Sequence, residues 1–166
     1  CMEMISVVSS HDVWFFGTST QDNWRSTTNF LEHYDGAGFT LVNAPDCSPC
    51  DIRSVYATTS NDVWAAGYAS GPHHIPSAVI EHYDGTQWSF VSLDFRLSDS
   101  YLTSVTANAG NDVWATGNDY YGFFYLHYDG TKWTRINPSD TTQDAGATIV
   151  ATRNNHVCVS QNTTIS

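Results

Sequence analysis

Positive charge is scarce in this chain of 166 residues. Lysine and arginine together number 6 against 17 aspartates and glutamates, and Lys132 is the single lysine. The resulting net charge of −11 repels phosphate backbones and anionic lipid surfaces. Nucleic acid and anionic membrane surfaces are therefore not expected as partners.

Long apolar runs are also missing. No stretch approaches the roughly 18–20 apolar residues that a membrane-spanning helix needs, so membrane insertion is not expected. Glutamate and lysine, which favour helices, are few, and none of the apolar runs has helical spacing. Thr, Ser, Asn, Asp and Val are abundant instead, and aromatic residues reach 14%. This composition favours strands and turns and provides ample material for a core.

Cysteine is sparse, with 4 residues. Cys47 and Cys50 flank a Ser-Pro pair in a loop, and only Cys1 and Cys158 remain, as singles. A zinc site needs a second ligand pair and a thioredoxin-like site needs a βαβ setting, and the sequence offers neither. We interpret Cys47 and Cys50 as a small disulfide loop, with free thiols and a metal site as the alternatives. A disulfide indicates an oxidising, extracytoplasmic location.

The chain does contain an internal repeat. The string Asp-Val-Trp-x-x-Gly occurs three times at intervals of fifty residues, and each copy is followed by His-Tyr-Asp-Gly with Trp or Phe three residues after the glycine. A partial fourth copy begins near Ala151. The repeated positions that we expect to have structural roles are Asp12, Trp14, Asp62, Trp64, Asp112, Trp114, Asp35, Gly36, Asp84, Gly85, Asp129 and Gly130.

Each repeat unit predicts four short strands. In the second unit these are 53–59, 62–68, 77–83 and 87–93, and the Asp-Gly pair at 84–85 is a strong hairpin signal. Four consecutive antiparallel strands in about 40–50 residues are typical of one β-propeller blade. We therefore expect an all-β fold, a single propeller region over 1–166. Its blades are expected at about 1–43, 51–93 and 101–137, with part of a fourth at 147–166.

The repeated side chains have expected tasks in such blades. The aspartate that starts each Trp-containing string follows a turn, where its carboxylate can accept backbone N–H bonds. The tryptophan two residues later is suited to fill the wedge between neighbouring blades. The glycine of the string is expected to relieve crowding where the strand leaves the sheet. The recurring histidines, His33, His82 and His127, are expected to make structural hydrogen bonds.

The paired strings resemble the propeller repeats of many bacterial secreted proteins and lipoproteins, over nearly the whole chain from Ile5 to about Val159. They are similar, more loosely, to kelch repeats and to the Asp-box propellers of sialidases. The resemblance implies a bacterial protein located outside the cell, at its surface or in the periplasm. The Asp-box has a residue between Asp and Gly, which are adjacent here, so no sialidase catalytic residue is carried over.

The number of blades raises the question of partners. Closed propellers usually have about four to eight blades, and this chain supplies three and a fraction. We expect the remaining blades to come from a longer polypeptide or from copies of this chain.

The segments that differ between repeats are the expected binding surface, because function tends to lie in loops held by a rigid scaffold. Aromatic rings beside Asp and Asn suit recognition of a sugar or a protein, although solvated linkers with incidental aromatics are the alternative. Metal binding by the adjacent histidines of this face is not favoured. The candidate ligand-binding residues are Trp24, Arg25, Tyr68, His73, His74, Phe95, Arg96, Tyr120 and Tyr121.

No Ser-His-Asp or Cys-His constellation, phosphate-binding loop or basic patch is found, so we assign no catalytic residue, cofactor or metal ligand. The leading hypothesis is a non-enzymatic propeller module for binding a glycan or a protein, or for assembly at the cell surface. One alternative is a glycan-active propeller enzyme whose catalytic carboxylates lie mostly in other blades. Another is a structural subunit of an extracellular polymer.

Overall fold

The computed structural model describes residues 2–21, 26–42, 50–70, 75–137, 148–151 and 157–160, with side chains for 4–17, 30–42, 50–70 and 75–137. Every regular element in these residues is a β-strand, which confirms the all-β class. In this part of the chain no helix is long and apolar enough to cross a membrane. The strands are β1 (Met2–Ser9), β2 (Asp12–Gln21), β3 (Ser26–Tyr34), β4 (Phe39–Val42), β5 (Cys50–Thr59), β6 (Asp62–Ser70), β7 (Pro76–Tyr83), β8 (Trp88–Phe90), β9 (Ser100–Ala109), β10 (Asp112–Asp119), β11 (Gly122–Tyr128), β12 (Trp133–Ile136), β13 (Thr148–Ala151) and β14 (Val157–Ser160).

The first twelve strands form three four-stranded antiparallel sheets, one from each full repeat. The strands of each sheet lie side by side in chain order: β1–β4 in the first sheet, β5–β8 in the second and β9–β12 in the third. The four strands predicted for each repeat are thus confirmed. The pair β13 and β14 forms a short fourth sheet.

The segment after β8 continues along β7. The fourth strand of the second sheet ends at Phe90, earlier than predicted. The backbone N–H of Val91 still donates to the carbonyl oxygen of Ile80 at 2.9 Å, and Ser98 forms an isolated bridge with Ser77. The linker therefore stays hydrogen-bonded to the sheet after the regular strand has ended.

The hairpin turn between the third and fourth strands of each sheet is closed by its aspartate. Oδ1 of Asp84 accepts the backbone N–H of Thr86 at 2.9 Å, and Gly85 adopts a φ of +92°. The equivalent Gly36 and Gly130 have φ values of +91° and +89°. Because an L side chain rarely adopts this region of φ, the turn requires glycine after the aspartate.

A β-bulge recurs in the first strand of each sheet, opposite the glycine of the Trp-containing string. In β5 the register shifts between Ile52 and Ser54 and leaves Arg53 as the extra residue, and β1 and β9 show the same shift. A Cβ on Gly67 would collide with the carbonyl oxygen of Asp51 and lie 2.8 Å from Cα of Ile52. The glycine thus lies inside β6, where the bulged neighbouring strand presses against it, rather than where the strand leaves the sheet.

The sheets pack against one another through two hydrophobic cores. Strand β1 packs against β5, and β5 packs against β9. Trp14 is buried in the core between the first and second sheets, and Trp64 in the core between the second and third. Each of these tryptophans extends from its own sheet toward the following one.

Serine hydroxyls also join the first strands of neighbouring sheets. Oγ of Ser6 in β1 accepts the backbone N–H of Ala57 in β5 at 2.8 Å. Oγ of Ser54 in β5 accepts the backbone N–H of Val105 in β9 at 3.0 Å. These bonds satisfy backbone donors on strands that pack against each other without forming a common sheet.

One carboxylate is buried in the core between the first and second sheets. The side chain of Glu81 is fully buried, and neither of its oxygens has a hydrogen-bond partner among the described residues. It lies on the face of β7 that carries Val79 and Tyr83, which pack into the first core. Burial away from water raises the pKa of Glu81 to about 7. The third sheet has Leu126 at the equivalent position.

Candidate functional site

The sheets have two chemically different ends. At one end, which we call the repeat edge, β2, β6 and β10 begin with the aspartate of the Trp-containing string, and the hairpin turns lie beside them. A Cβ on Gly85 would lie 2.9 Å from Cβ of Asn61, so the two turns of the second sheet are in contact. At the other end, which we call the variable edge, β6 ends at Ser70 and β10 at Asp119, and the connecting segments differ between repeats.

Each repeat edge carries the same cluster of tryptophan, histidine and aspartate. In the second sheet Nε2 of His82 lies 2.6 Å from Oδ1 of Asp62, and the His82 ring stacks on Trp64 with centroids 4.0 Å apart. The same pair of contacts recurs in the other sheets as Asp12–His33 at 2.7 Å with Trp14–His33 at 4.4 Å, and Asp112–His127 at 2.9 Å with Trp114–His127 at 3.9 Å.

The aspartates of these clusters contact histidines, and among the described residues no backbone N–H group donates to their carboxylates. In the adjoining turns, the hydroxyls of Ser9 and Thr59 accept the backbone N–H groups of His11 and Asn61, at 3.2 and 3.3 Å. The histidines therefore make the structural hydrogen bonds that their recurrence in the sequence suggests.

In the third sheet the carboxylate has further partners. Partial burial of Asp112 raises its pKa, but hydrogen bonds outweigh this effect. Nδ2 of Asn108 donates to the carboxylate at 2.8 Å and Nε1 of Trp114 donates at 2.9 Å, in addition to the contact with His127. The pKa of Asp112 consequently lies below its usual value, and the group is charged at neutral pH.

A His–Asp pair also occurs in catalytic triads, but the contacts of these clusters indicate a structural role. One face of each imidazole is covered by an indole, and Nε2 contacts the aspartate. Among the described residues no hydroxyl or thiol side chain is hydrogen-bonded to His33, His82 or His127. The same cluster recurs at the same position in all three sheets, which is typical of residues that the fold itself requires.

At the variable edge of the second sheet, the bulge residue Arg53 enters a network with an aspartate and a tyrosine. Nη2 of Arg53 and the hydroxyl of Tyr68 both donate to Oδ2 of Asp51, at 2.8 and 3.0 Å. The guanidinium also lies over the Tyr68 ring, 5.4 Å from its centroid. Hydrogen bonding to Tyr68, and then to Asp51, raises the pKa of Arg53. About half of the Arg53 side chain is exposed, so its charge faces solvent.

This network extends to the third sheet through a second tyrosine. The rings of Tyr68 and Tyr101 lie 6.4 Å apart in an edge-to-face arrangement. Tyr101 is exposed at the start of β9. Two tyrosines and one arginine from neighbouring sheets thus share the variable edge.

The third sheet presents two more tyrosines on a tight turn. Tyr120 and Tyr121 join β10 to β11 and are 82% and 80% exposed. Their rings lie 5.4 Å apart and nearly perpendicular, at 88°. Oδ1 of Asp119 accepts the backbone N–H of Tyr121 at 2.8 Å, and Gly122 has a φ of +115°. Two aromatic rings are therefore open to solvent on a hydrogen-bonded turn.

The same turn is anchored to the outer strand of its sheet. The second carboxylate oxygen of Asp119 accepts a hydrogen bond from Nη2 of Arg135, in β12, at 2.5 Å. The guanidinium of Arg135 stacks over the ring of Phe124 in β11, 4.3 Å from its centroid. These contacts hold the base of the tyrosine turn against the sheet.

The remaining sequence candidates are distributed as follows. Phe95 packs against the core between the second and third sheets, and Arg96 is exposed. Cys50 opens β5, but Cys47 lies outside the described residues, so the pairing of these two cysteines stays a prediction. The candidates that lie outside the described residues are Trp24, Arg25, His73 and His74.

Sequence reasoning selected Tyr68, Tyr120 and Tyr121 but missed Asp51, Arg53 and Tyr101. The missed residues lie at or near the bulges of the first strands, and their meeting depends on strand register and on packing between sheets. The repeated glycine opposite each bulge was the available signal. Within the described residues, no group of three or more His, Cys, Asp or Glu side chains could hold a metal ion.

Comparison with known proteins adds no family: neither a scan against protein-family models nor a comparison with curated proteins finds a match for this chain.

Proposed function

We propose that the three sheets are neighbouring blades of a β-propeller, and that the chain is a non-enzymatic, extracytoplasmic module that binds a glycan at its variable edge. The arrangement of blades is supported by the four-stranded meanders and by the packing of first strand against first strand. It is also supported by Trp14 and Trp64, which fill the spaces between neighbouring sheets. Radially repeated four-stranded sheets are the building plan of propellers.

The proposal that the ligand is a glycan rests on the exposed pair Tyr120 and Tyr121. Ring faces open to solvent can stack on the apolar face of a sugar, and the nearby carboxylate of Asp119 and the guanidinium of Arg135 are fixed polar neighbours. A patch of two rings is much smaller than the roughly 800 Å² per partner that a stable protein interface buries. A small ligand with ring-sized apolar faces fits this surface better than a protein does.

The position of the histidine–aspartate pairs favours a binding function over an enzymatic one. In each pair the histidine ring stacks on a tryptophan and contacts the aspartate at the repeat edge, at the end of the sheet opposite the tyrosines. A proton-transfer role would place the pair beside the bound ligand.

The extracytoplasmic location is part of the same proposal. It is supported by the Cys47–Cys50 spacing and by the resemblance to secreted bacterial repeats. Peptide mapping of the non-reduced protein tests it: a peptide containing both cysteines should be lighter by two hydrogens than after reduction. Two free thiols in protein purified from an oxidising compartment would contradict the pairing.

A glycan panel tests the binding function directly. We expect the wild-type chain to bind a subset of glycans and Tyr120→Ala to weaken that binding about tenfold, the equivalent of one lost aromatic stacking contact. Tyr120→Phe keeps the ring and should keep most of the affinity.

Phe39→Ala is the matched control, because Phe39 is an exposed aromatic residue on the first sheet, away from the tyrosine turn. Failure of the wild-type chain to bind any glycan would reject the proposal. Equal losses in Tyr120→Ala and Phe39→Ala would reject the location of the site.

A further inference from the structure

The hairpin turns between the third and fourth strands of the three sheets share one backbone geometry. In each turn the backbone N–H of the aspartate donates to the carbonyl oxygen three residues later, from Asp35 at 3.3 Å, Asp84 at 3.3 Å and Asp129 at 3.2 Å. The glycines that follow have nearly equal positive φ values. The same Asp-Gly peptide bond is therefore held in the same way three times, and the turns differ in the side chains around it.

The first turn lacks a hydroxyl that the other two have. In the second and third sheets Oδ1 of the turn aspartate accepts a threonine hydroxyl at 2.6 Å, from Thr86 and from Thr131. This hydroxyl is the largest cause that lowers the pKa of the turn aspartate in those sheets to about 2. Ala37 stands at the equivalent position of the first sheet, so among the described residues only backbone N–H groups donate to Asp35.

The first turn also has an imidazole beside its glycine. A Cβ on Gly36 would lie 3.1 Å from Cδ2 of His11. Asparagines, Asn61 and Asn111, occupy this place in the other sheets. Nδ1 of His11 lies 2.9 Å from Oγ of Ser10, whereas Nε2 is bonded to Cδ2, on the side of the ring that contacts the glycine. Because an imidazole accepts a proton at neutral pH and an amide does not, the first turn alone has a histidine base next to its Asp-Gly bond.

We propose that the Asp35–Gly36 bond is a modification site, at which the folded protein converts spontaneously to an isoaspartyl linkage. The backbone nitrogen of Gly36 is the nucleophile, and it is unhindered because glycine has no Cβ. It attacks Cγ of Asp35, and His11 takes the proton that the nitrogen loses. This inference does not depend on the glycan-binding function.

The conversion leaves the mass of the chain unchanged. In the first step the nitrogen of Gly36 bonds to Cγ of Asp35, and the carboxyl hydroxyl leaves Cγ as water, together with the proton taken from the nitrogen. The product is a succinimide ring. In the second step water attacks the main-chain carbonyl carbon of Asp35 and breaks its bond to the nitrogen, so the chain now runs through the side-chain carbonyl. Attack of water on the other carbonyl restores the aspartate.

Three features of the first turn favour this reaction. Without a hydroxyl donor, the carboxyl group of Asp35 is more readily protonated, and the protonated form supplies the leaving hydroxyl. The imidazole of His11 lies where a general base is needed. Gly38 stands where the other turns have Gln87 and Lys132, and its conformational freedom helps the hairpin to reach the geometry of ring closure.

The isoaspartyl linkage changes the repeat edge of the first sheet. Cβ of Asp35 enters the main chain and lengthens the connection between β3 and β4 by one atom. The side-chain carboxylate that accepts the N–H groups of Ala37 and Gly38 is consumed, so the turn loses these hydrogen bonds. Because β4 is only 4 residues long, we expect it to fray from β3 after the conversion.

Peptide mapping after incubation of the folded protein at neutral pH and physiological temperature tests the proposal. An isoaspartyl peptide has the mass of its aspartyl counterpart, elutes separately and resists the endoproteinase that cleaves before aspartate. We expect isoaspartate to form at Asp35 about tenfold faster than at Asp84 or Asp129, since an exposed imidazole gives less than the roughly 10²–10⁴-fold of a catalytic base. Equal rates at the three sites, or no isoaspartate at Asp35, would overturn the proposal.

The other repeats supply matched substitutions for the first turn. His11→Asn and Ala37→Thr each introduce the side chain that the second and third sheets have at that position. His11→Asn should slow the reaction at Asp35 about fivefold by removing the base, and Ala37→Thr about twofold by adding a hydrogen bond to the carboxylate. An unaltered rate in His11→Asn would contradict the role of the imidazole.

Two further measurements separate the effect of the fold from that of the local sequence. The reciprocal change in the second sheet, Asn61→His with Thr86→Ala, should accelerate the reaction at Asp84, and far-UV circular dichroism checks that each variant keeps its strands. In concentrated urea the unfolded chain should form isoaspartate at similar rates at all three Asp-Gly pairs. An excess at Asp35 that persists in urea would overturn the role of the folded turn.

Discussion

Nε2 of His82, at the end of β7, lies 2.6 Å from Oδ1 of Asp62, at the start of β6. The contact joins the second and third strands of one sheet at the repeat edge, and the imidazole stacks on Trp64, which enters the core toward the third sheet. A polar contact within one sheet therefore sets the position of the aromatic ring that packs against the next. The hydroxyl of Thr58 also donates to the other oxygen of Asp62.

Asp62→Ala should lower the free energy of unfolding by about 1.5–3 kcal/mol, the usual range for a hydrogen bond to a charged group that is largely shielded from water. Urea unfolding followed by tryptophan fluorescence measures this change. Asp94→Ala, at an exposed aspartate in the linker after β8, is the control and should be close to neutral. Similar losses for both variants would show that the cluster does not support the fold.

Glu81→Leu should stabilise the protein above neutral pH. Because burial raises the folded-state pKa from 4.5 to about 7, folding is favoured by this group below pH 4.5 and loses that contribution as the pH rises through 7. The shift corresponds to about 3 kcal/mol. Leu126 shows that the fold accepts leucine at this repeat position.

Thermal unfolding at pH 4.5 and pH 8 tests this expectation. The wild type should lose stability between these values by more than the Glu81→Leu variant does. Identical pH profiles of the two proteins would mean that the carboxylate finds a partner or water in solution.

Gly67→Ala should destabilise the second sheet, because its Cβ would collide with the backbone of the bulged strand β5. We expect a loss of about 1–3 kcal/mol or failure to fold, as for overpacking in a core. Gly38→Ala is the matched control, since a Cβ at that position would meet no atom within 4 Å. Denaturant midpoints of the two variants give the comparison, and a neutral Gly67→Ala would disprove the close approach.

Ala37→Thr should lower the pKa of Asp35. In the second sheet the pKa of Asp84 is lowered to about 2. The largest contribution is the hydrogen bond from the Thr86 hydroxyl, followed by backbone hydrogen bonds. Asp35 accepts only backbone N–H groups, from Ala37 and Gly38, because residue 37 lacks a hydroxyl.

Carbon-detected NMR titration of the carboxyl groups measures this change. The contribution of such turn carboxylates to stability is present above pH 3.8 and is lost as the pH falls through about 2. An Asp35 titration that does not move in Ala37→Thr would contradict the role of the hydroxyl.

Much of the local architecture could be predicted from the repeat. The Asp-Gly turns, the four strands of each unit and the inward tryptophans follow from short-range rules, because turn residues and strand alternation act over a few positions. The task of Gly67 could not be predicted, since it depends on the carbonyl of Asp51, sixteen residues earlier, at a bulge that no local pattern announces. The partners of Arg53 were missed for the same reason.

The sequence by itself determined the unit of this protein: a strand-rich segment closed by an aspartate and a glycine and carrying one tryptophan, repeated three times. Tertiary structure decided how the units pack against one another and which side chains that packing buries. It buried Glu81, which has no hydrogen-bond partner among the described residues, and brought the ring of Tyr68 next to that of Tyr101. It also buried one face of the second and third sheets and left apolar side chains on the equivalent face of the first sheet exposed. The physical reason is distance along the chain: turns and alternation act between near neighbours, whereas burial and contacts between sheets join residues tens of positions apart.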